Sequence, residues 1–184
     1  MPSYGWLFDE KRCIECQACE SACKQWNQVE VGVNVRYRRV TVRHSGTFPM
    51  IQEQSLSSAC NHCDTAWCMM VCPVKAITRR SEDGTIQIDQ SKCVGCRQCA
   101  AFCPYQAPQF NERTMKMEKC TGCFDRIETG LEPACATLCP TGALQFGEWD
   151  DIRTQGVDRV PNFTNPAQTR PHIRFITTPY PAGQ

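Results

Sequence analysis

The chain has 184 residues, with 20 Lys and Arg against 19 Asp and Glu, for a formal net charge of +1. That length suits one domain, and the near-neutral balance gives no reason to expect nucleic acid or a charged membrane surface as a partner. Sixteen cysteines in so short a chain are far above ordinary usage, which narrows the classes to chains stapled by disulfides or built around metal.

Taken in order, Tyr4 to Cys13 reads as a short strand running into a cysteine loop, with Trp6 and Phe8 alternating with Leu7 and Asp9. The loop holds Cys13, Cys16, Cys19 and Cys23. Lys24 to Ala59 is an insertion. Within it Val29, Val31, Val33, Val35 and Tyr37 alternate with mostly polar residues and predict a half-buried strand. Val40 and Val42 leave that register, as after a bulge. Arg36, Arg38, Arg39 and Arg43 give the segment a basic face, either a solvated edge guarded by charge or a contact for a partner.

A second loop holds Cys60, Cys63, Cys68 and Cys72-Pro73. Glu82-Asp83-Gly84 is a turn signal, and Ile86 and Ile88 alternating with Gln87 and Asp89 predict another strand. That strand leads into Cys93, Cys96, Cys99 and Cys103-Pro104. The two approaches match: Asp9 and Asp89 each stand four residues before a first cysteine, with Arg12 or Lys92 just ahead of it. Cys120, Cys123, Cys135 and Cys139-Pro140 form a fourth loop around a long insertion. In that insertion Phe124 to Glu128 predicts one or two helical turns, ended by Gly130 and Pro133. From Pro161 to Gln184 there are five prolines. Ile173 and Phe175 predict one edge strand there. The tail is too poor in apolar residues to make a core, so it is expected to wrap this chain or a partner, with disorder as the alternative.

Four quartets use every cysteine. The third follows the bacterial ferredoxin run C-x2-C-x2-C-x3-C-P, whose fourth cysteine ligates the neighbouring cluster in two-cluster ferredoxins. The others repeat it with small changes. Disulfide frameworks need no such rhythm, and structural zinc favours separated C-x2-C pairs over triplets. Four [4Fe–4S] clusters are therefore expected. The exits repeat as well: Cys72-Pro73-Val74-Lys75-Ala76 parallels Cys139-Pro140-Thr141-Gly142-Ala143 and Cys103-Pro104-Tyr105-Gln106-Ala107.

This predicts an α+β fold of two bacterial-type two-cluster ferredoxin units, one inserted in the other, with a β-rich insertion and an extended C-terminal tail. Residues 1–24 and 108–150 form the split outer unit, 25–59 the insertion, 60–107 the inner unit and 151–184 the tail. The two-cluster rule then crosses the ligands. Cluster one takes Cys13, Cys16, Cys19 and Cys139, and cluster two takes Cys120, Cys123, Cys135 and Cys23. Cluster three takes Cys60, Cys63, Cys68 and Cys103, and cluster four takes Cys93, Cys96, Cys99 and Cys72. Quartets that each close on themselves are the simpler alternative.

Clusters with four cysteine ligands offer no open iron to a substrate, so the chain reads as a conductor of single electrons with no catalytic site. Lys24, Lys92, Arg97 and Lys119 lie beside ligands and either raise potentials or keep the surface soluble. Trp67, Phe102, Phe124 and Trp26 stand near ligands, as packing or as shields against water. His62 lies between Cys60 and Cys63, where a complete cysteine set argues against its ligation. His44 and His172 have no metal-ligand spacing. There is no H-E-x-x-H, no dinucleotide turn and no phosphate loop.

Met1 to Arg12 contain no apolar targeting core and no twin arginine; Arg38-Arg39 and Arg79-Arg80 are internal. The longest mainly apolar run, Trp67 to Val74, is too short to span a bilayer. No direct membrane insertion is expected. The predicted setting is cytoplasmic or membrane-associated through partners, with periplasmic export beside a signal-bearing partner left open.

The sequence resembles the iron–sulfur subunits of the dimethyl sulfoxide reductase / molybdopterin oxidoreductase family over nearly its whole length. The residues that carry the likeness are Tyr4-Gly5-Trp6-Leu7-Phe8-Asp9, Ala22-Cys23-Lys24, Tyr37-Arg38-Arg39-Val40, Cys60-Asn61-His62-Cys63, Cys103-Pro104-Tyr105 and Lys119-Cys120-Thr121-Gly122-Cys123-Phe124-Asp125-Arg126. The resemblance implies four [4Fe–4S] clusters beside a large catalytic subunit with a molybdenum or tungsten bis-pterin cofactor. It implies a chain of clusters from there to a quinone-linked membrane anchor or another redox protein. Trp67 stands where the family usually has proline, and the tail is short. The competing readings are a free soluble polyferredoxin, and a non-redox protein using clusters as staples.

Overall fold

The computed structural model describes residues 3–32, 34–161 and 163–177. It mixes short helices and strands, as the α+β expectation requires. The strands are β1 (Tyr4–Asp9), β2 (Arg39–Ser45), β3 (Gln52–Ser58), β4 (Ile77–Arg79), β5 (Ile86–Ile88), β6 (Gln109–Asn111), β7 (Lys116–Glu118), β8 (Leu144–Glu148) and β9 (Ile173–Ile176). The helices are α1 (Ala18–Trp26), α2 (Trp67–Met70), α3 (Gln98–Phe102), α4 (Phe124–Ile127), α5 (Ala134–Thr137) and α6 (Trp149–Ile152).

The central strand is β1. Trp6, Leu7 and Phe8 are all buried, because the strand is covered on both faces and paired on both edges. It pairs antiparallel with β8, setting Trp6 opposite Phe146 and Phe8 opposite Leu144. On its other edge it pairs parallel with β9, with Phe8 opposite Phe175. The first and last parts of the described chain thus share one sheet. Its apolar face packs on Cys19, Cys23 and Cys135, so ligand loops and core are one body. A second small core gathers Ile77, Ile86, Met117 and Cys99 under the hairpins β4–β5 and β6–β7.

The insertion departs from expectation. Residues 29–37 form no strand among the described residues; Val33 lies outside them. Alternation would put Val31 and Val35 on one face, yet Val31 is 99% exposed and Val35 1%. The cause is Lys24. Its ammonium donates to three carbonyls, Glu30 at 2.7 Å, Gly32 at 2.8 Å and Val35 at 2.8 Å, curling the segment around one charge. The strand begins later. Val40 and Val42, expected beyond a bulge, lie inside β2, which pairs with β3 from Arg39↔Ser58 to Ser45↔Gln52.

Nor is there one basic face. Arg38 is buried. Arg36 reaches back to Glu20 at 2.6 Å, and Arg39 donates to the Tyr105 carbonyl at 2.9 Å. Arg43 alone of the four is exposed. A second contact of the same carboxylate fixes the hairpin: Glu20 also accepts the backbone N–H of Val40.

The tail is a correction too. Val160, Phe163, Ile173 and Phe175 are buried in the main core, with Phe163 edge-on to Phe175 at 5.0 Å and stacked on Tyr105 at 4.8 Å. A few large apolar residues suffice because each ring buries much area. The expected edge strand is present as β9, and the described tail wraps this chain. On the way it passes the second cysteine loop: Asp64 and Thr65 donate backbone N–H groups to the Arg170 and Thr169 carbonyls, both at 3.0 Å, and the His172 backbone N–H donates to the Asn61 carbonyl at 3.0 Å. The His172 ring stacks on Trp149 at 4.5 Å. Its Nδ1 donates to the Tyr4 carbonyl at 3.0 Å, and its Nε2 lies 2.9 Å from Asp64. It therefore pins the tail to both β1 and the second loop.

Replacing His172 by Ala removes two partly buried hydrogen bonds and a ring stack, and is expected to cost about 1–3 kcal/mol. Denaturant unfolding of the iron-loaded protein measures it, and an unchanged midpoint would contradict the pinning role.

Candidate metal centres

All sixteen cysteines are free thiols. Each loop turns the same way. The second residue after the first cysteine has a left-handed backbone in all four: Glu15 at φ 57° and His62 at φ 45°, Gly95 at φ 68° and Gly122 at φ 73°. Such turns let successive cysteines face inward over one space, at a cost for Glu15 and His62 that ligation can offset. Gly95 admits no substitute: a Cβ there would lie 2.3 Å from the Met115 carbonyl oxygen.

The exits repeat just as closely. Lys75, Gln106 and Gly142, each three residues past a Cys-Pro cysteine, are all left-handed. Each donates its N–H to that cysteine's carbonyl, at 3.2, 3.0 and 3.2 Å. The turn then aims a further N–H at the sulfur: Ala76 to Cys72 at 3.2 Å, Ala107 to Cys103 at 3.5 Å and Leu144 to Cys139 at 3.4 Å. Met117 donates likewise to Cys93 at 3.5 Å, Gly122 to Cys120 at 3.3 Å, and the Asn27 amide to Cys23 and Cys123 at 3.7 and 3.8 Å. Donors aimed at sulfur suit thiolates, the charged form that binds metal.

The thiols sort into neighbourhoods. Burial pushes Cys23 up, and Cys120, Cys135 and Cys123 add to it; all three belong to the fourth loop, not to the first loop in which Cys23 stands. Burial, then Cys60, Cys103 and Cys68, act on Cys63. Burial, then Cys93, Cys96 and Cys72, push Cys99 up to about 11. Charge coupling also runs between neighbourhoods. Cys19 feels Cys135 after burial and Arg38. Cys120, pushed up to about 12 by burial, feels Cys60, and Cys68, pushed up to about 12 by burial, feels Cys99. Cys139 goes the other way. Burial opposes its charge, but the Leu144 N–H, the Thr141 hydroxyl and the N–H groups of Ala143 and Thr141 hold the thiol below its usual range.

Several cations near the sulfurs are buried. Lys119, read from sequence as ligand tuning or surface, is buried and donates to the carbonyls of Ile86 and Cys120. Arg38 was legible only as part of a basic face; its burial needs the three-dimensional path of β2. The other cations next to ligands have outward roles: Lys92 pairs with Asp89 at 3.4 Å, and Arg97 lies 3.8 Å over the Phe110 ring. His62 Nδ1 accepts the Ile86 N–H at 2.9 Å, which leaves Nε2 as the protonated nitrogen, buried without a partner among the described residues. Burial, then Lys119, keep the ring neutral. Of the rings near ligands, Trp67 and Phe124 are half-buried, whereas Phe102 and Trp26 are exposed and shield little. Cys16 and Cys96 are the two exposed cysteines, one in the first loop and one in the third.

Among the described residues no three His, Cys, Asp or Glu side chains converge on a single-ion site. An iron–sulfur cube does not ask that of them, since its four thiolates bind four separate irons. Left-handed loops, donors aimed at sulfur and unpaired buried N–H groups fit such a cube. When bound, it would supply reversible one-electron chemistry.

Comparison with known proteins agrees. Residues 51–149 match the 4Fe-4S dicluster domain family, and residues 10–26 match a 4Fe-4S binding domain. The protein is 39% identical over 166 residues to the B subunit of the anaerobic dimethyl sulfoxide reductase of Escherichia coli (strain K12), covering 84% of this protein and 78% of that one. It is 40% identical over 153 residues to the thiosulfate reductase electron transfer subunit PhsB of Salmonella typhi, covering 83% and 79%. It is 39% identical over 156 residues to NrfC of Escherichia coli (strain K12), covering 83% and 68%. Among the described residues no helix is long and apolar enough to cross a membrane. The protein belongs to the 4Fe–4S electron-transfer subunits of the dimethyl sulfoxide reductase family.

Proposed function

We propose that the sixteen cysteines hold four [4Fe–4S] clusters in the crossed pattern, and that the chain relays single electrons along them. Cluster one is held by Cys13, Cys16, Cys19 and Cys139, and cluster two by Cys120, Cys123, Cys135 and Cys23. Cluster three is held by Cys60, Cys63, Cys68 and Cys103, and cluster four by Cys93, Cys96, Cys99 and Cys72. The observation that carries this is the company each thiol keeps. The Asn27 amide reaches both Cys23 and, in the fourth loop, Cys123, at 3.7 and 3.8 Å, and the charges of Cys103 and Cys72 are felt by Cys63 of the second loop and Cys99 of the third. The pairing of β1 with β8, which joins the first and last quartets, supports one ferredoxin unit (residues 60–107) inserted in another (1–24 and 108–150), between the insertion 25–59 and the tail 151–184.

Charge coupling between the sets supports an order for the relay. Cys19 with Cys135 joins one to two, Cys120 with Cys60 joins two to three, and Cys68 with Cys99 joins three to four. The ends are open. Ile14 beside Cys16 is 63% exposed, and Val94 beside Cys96 is 62% exposed, so each end presents a ligand loop with an apolar residue to a partner. The relatives' names, a reductase subunit and an electron transfer subunit, support a large molybdopterin or tungstopterin catalytic subunit at one end. A quinone-linked membrane anchor or another redox protein takes the other. The chain itself is non-catalytic, and it reaches the membrane through its partners.

Anaerobic purification of the native complex tests this. It should yield a brown assembly with a large pterin-containing subunit and clusters reducible by dithionite. A colourless chain, or one that elutes alone, would count against it. The crossing has its own test. Cys72→Ser with Cys99→Ser removes two ligands of one cluster, so about 12 of about 16 irons should remain; about 8 would mean that quartets close on themselves. Finally, the core is thin and largely sulfur-lined, so chelating the iron should abolish the native circular dichroism. A retained native spectrum would show that the polypeptide folds without its clusters.

A further inference from the structure

Arg38 is 2% exposed, yet two of its nitrogens have no acceptor for their N–H groups. Nη1 donates to the Ser57 hydroxyl at 3.1 Å and the Ser57 carbonyl at 3.3 Å. The guanidinium lies 4.5 Å over the Trp6 ring. Nε and Nη2 find no acceptor among the described residues. A guanidinium does not shed its proton, and a buried charge with idle donors is costly. The groups around it are thiols. Burial opposes its charge, but Cys135, Cys120, Cys19 and Cys23 more than offset that. Ser57 carries the contact onward. Its hydroxyl accepts from Arg38, which leaves its own hydrogen for Cys19 Sγ at 3.6 Å.

We propose that Arg38 is the positioning residue for charge at the junction of clusters one and two, donating Nε–H and Nη2–H to cluster sulfur and raising both reduction potentials. The reading rests on the crossed four-cluster assignment: Cys19 belongs to cluster one, and Cys23, Cys120 and Cys135 to cluster two. A cation and two hydrogen bonds at sulfur favour the reduced, more negative cluster. None of those four thiols is a ligand of cluster three or four. The effect is therefore strongest in that half of the relay, and it stabilises an electron at that end.

The test is an EPR-monitored redox titration of the anaerobically prepared, iron-loaded protein as wild type, Arg38→Gln, Arg38→Lys and Ser57→Ala. Arg38→Gln should change the reduced-to-oxidised ratio of two clusters at least tenfold at fixed potential, a downward shift of about 59 mV or more for one electron. The other two clusters should shift less. Arg38→Lys should recover part of the shift, since it keeps charge but not the fork. Ser57→Ala should lower cluster one alone, by about threefold in the same ratio. Full iron with unmoved potentials in Arg38→Gln, or an equal shift of all four clusters, overturns the proposal. If Arg38→Gln fails to retain iron, Ser57→Ala decides: an unmoved cluster one overturns it. An iron count short of four clusters in the wild type is a different failure, that of the assignment beneath.

Discussion

Gathering thiolates is the constraint that governs this molecule. A cube asks for four negative sulfurs in a small space, and this chain gathers sixteen cysteines. Water normally offsets that electrostatic cost; here backbone N–H groups and buried cations do it instead. The exits show the first device, with a left-handed residue turning the chain so that an N–H meets the sulfur of Cys72, Cys103 or Cys139. Arg38 and Lys119 show the second, each buried beside cysteines of more than one loop. Much of the rest of the fold serves to hold these groups still.

That burden explains why the apolar core is small and placed where it is. The large side chains lie on β1, on β8 and in the tail, where Trp6, Phe8, Phe163 and Phe175 close one side of the ligand loops. Near the second and third loops the packing falls to a few residues around Ile77, Ile86 and Met117. In both places cysteine is part of the packed surface. Core and cofactor site are the same region, so a change in either is felt by the other.

The cysteine rhythm was legible at once, because ligand spacing is written along the chain and needs no tertiary knowledge. The strands at Ile86–Ile88 and Ile173–Ile176 were legible too by their alternation, and Tyr4–Asp9 by a short apolar run leading into a cysteine loop. What could not be read depends on distant partners. The valines at 29, 31 and 35 have the period of a strand, but the Lys24 ammonium offers the carbonyls of this segment a better arrangement than a ladder. Arg36 and Arg38 look alike in sequence; Glu20 claims one and the thiols surround the other. The tail looked poor in apolar residues by composition, yet composition does not show that its few large apolar side chains turn inward.

The position of β1 between β8 and β9 has a consequence for biosynthesis. β1 pairs with two strands that lie far along the chain from it, so one edge stays open until β8 has been made and the other until β9 has. Contacts of such long sequence separation form slowly, and in the meantime the thiols of the first loop have no Cys139 beside them. Closure of this sheet is therefore late, and until it happens the first cysteine loop lacks the core that packs against it.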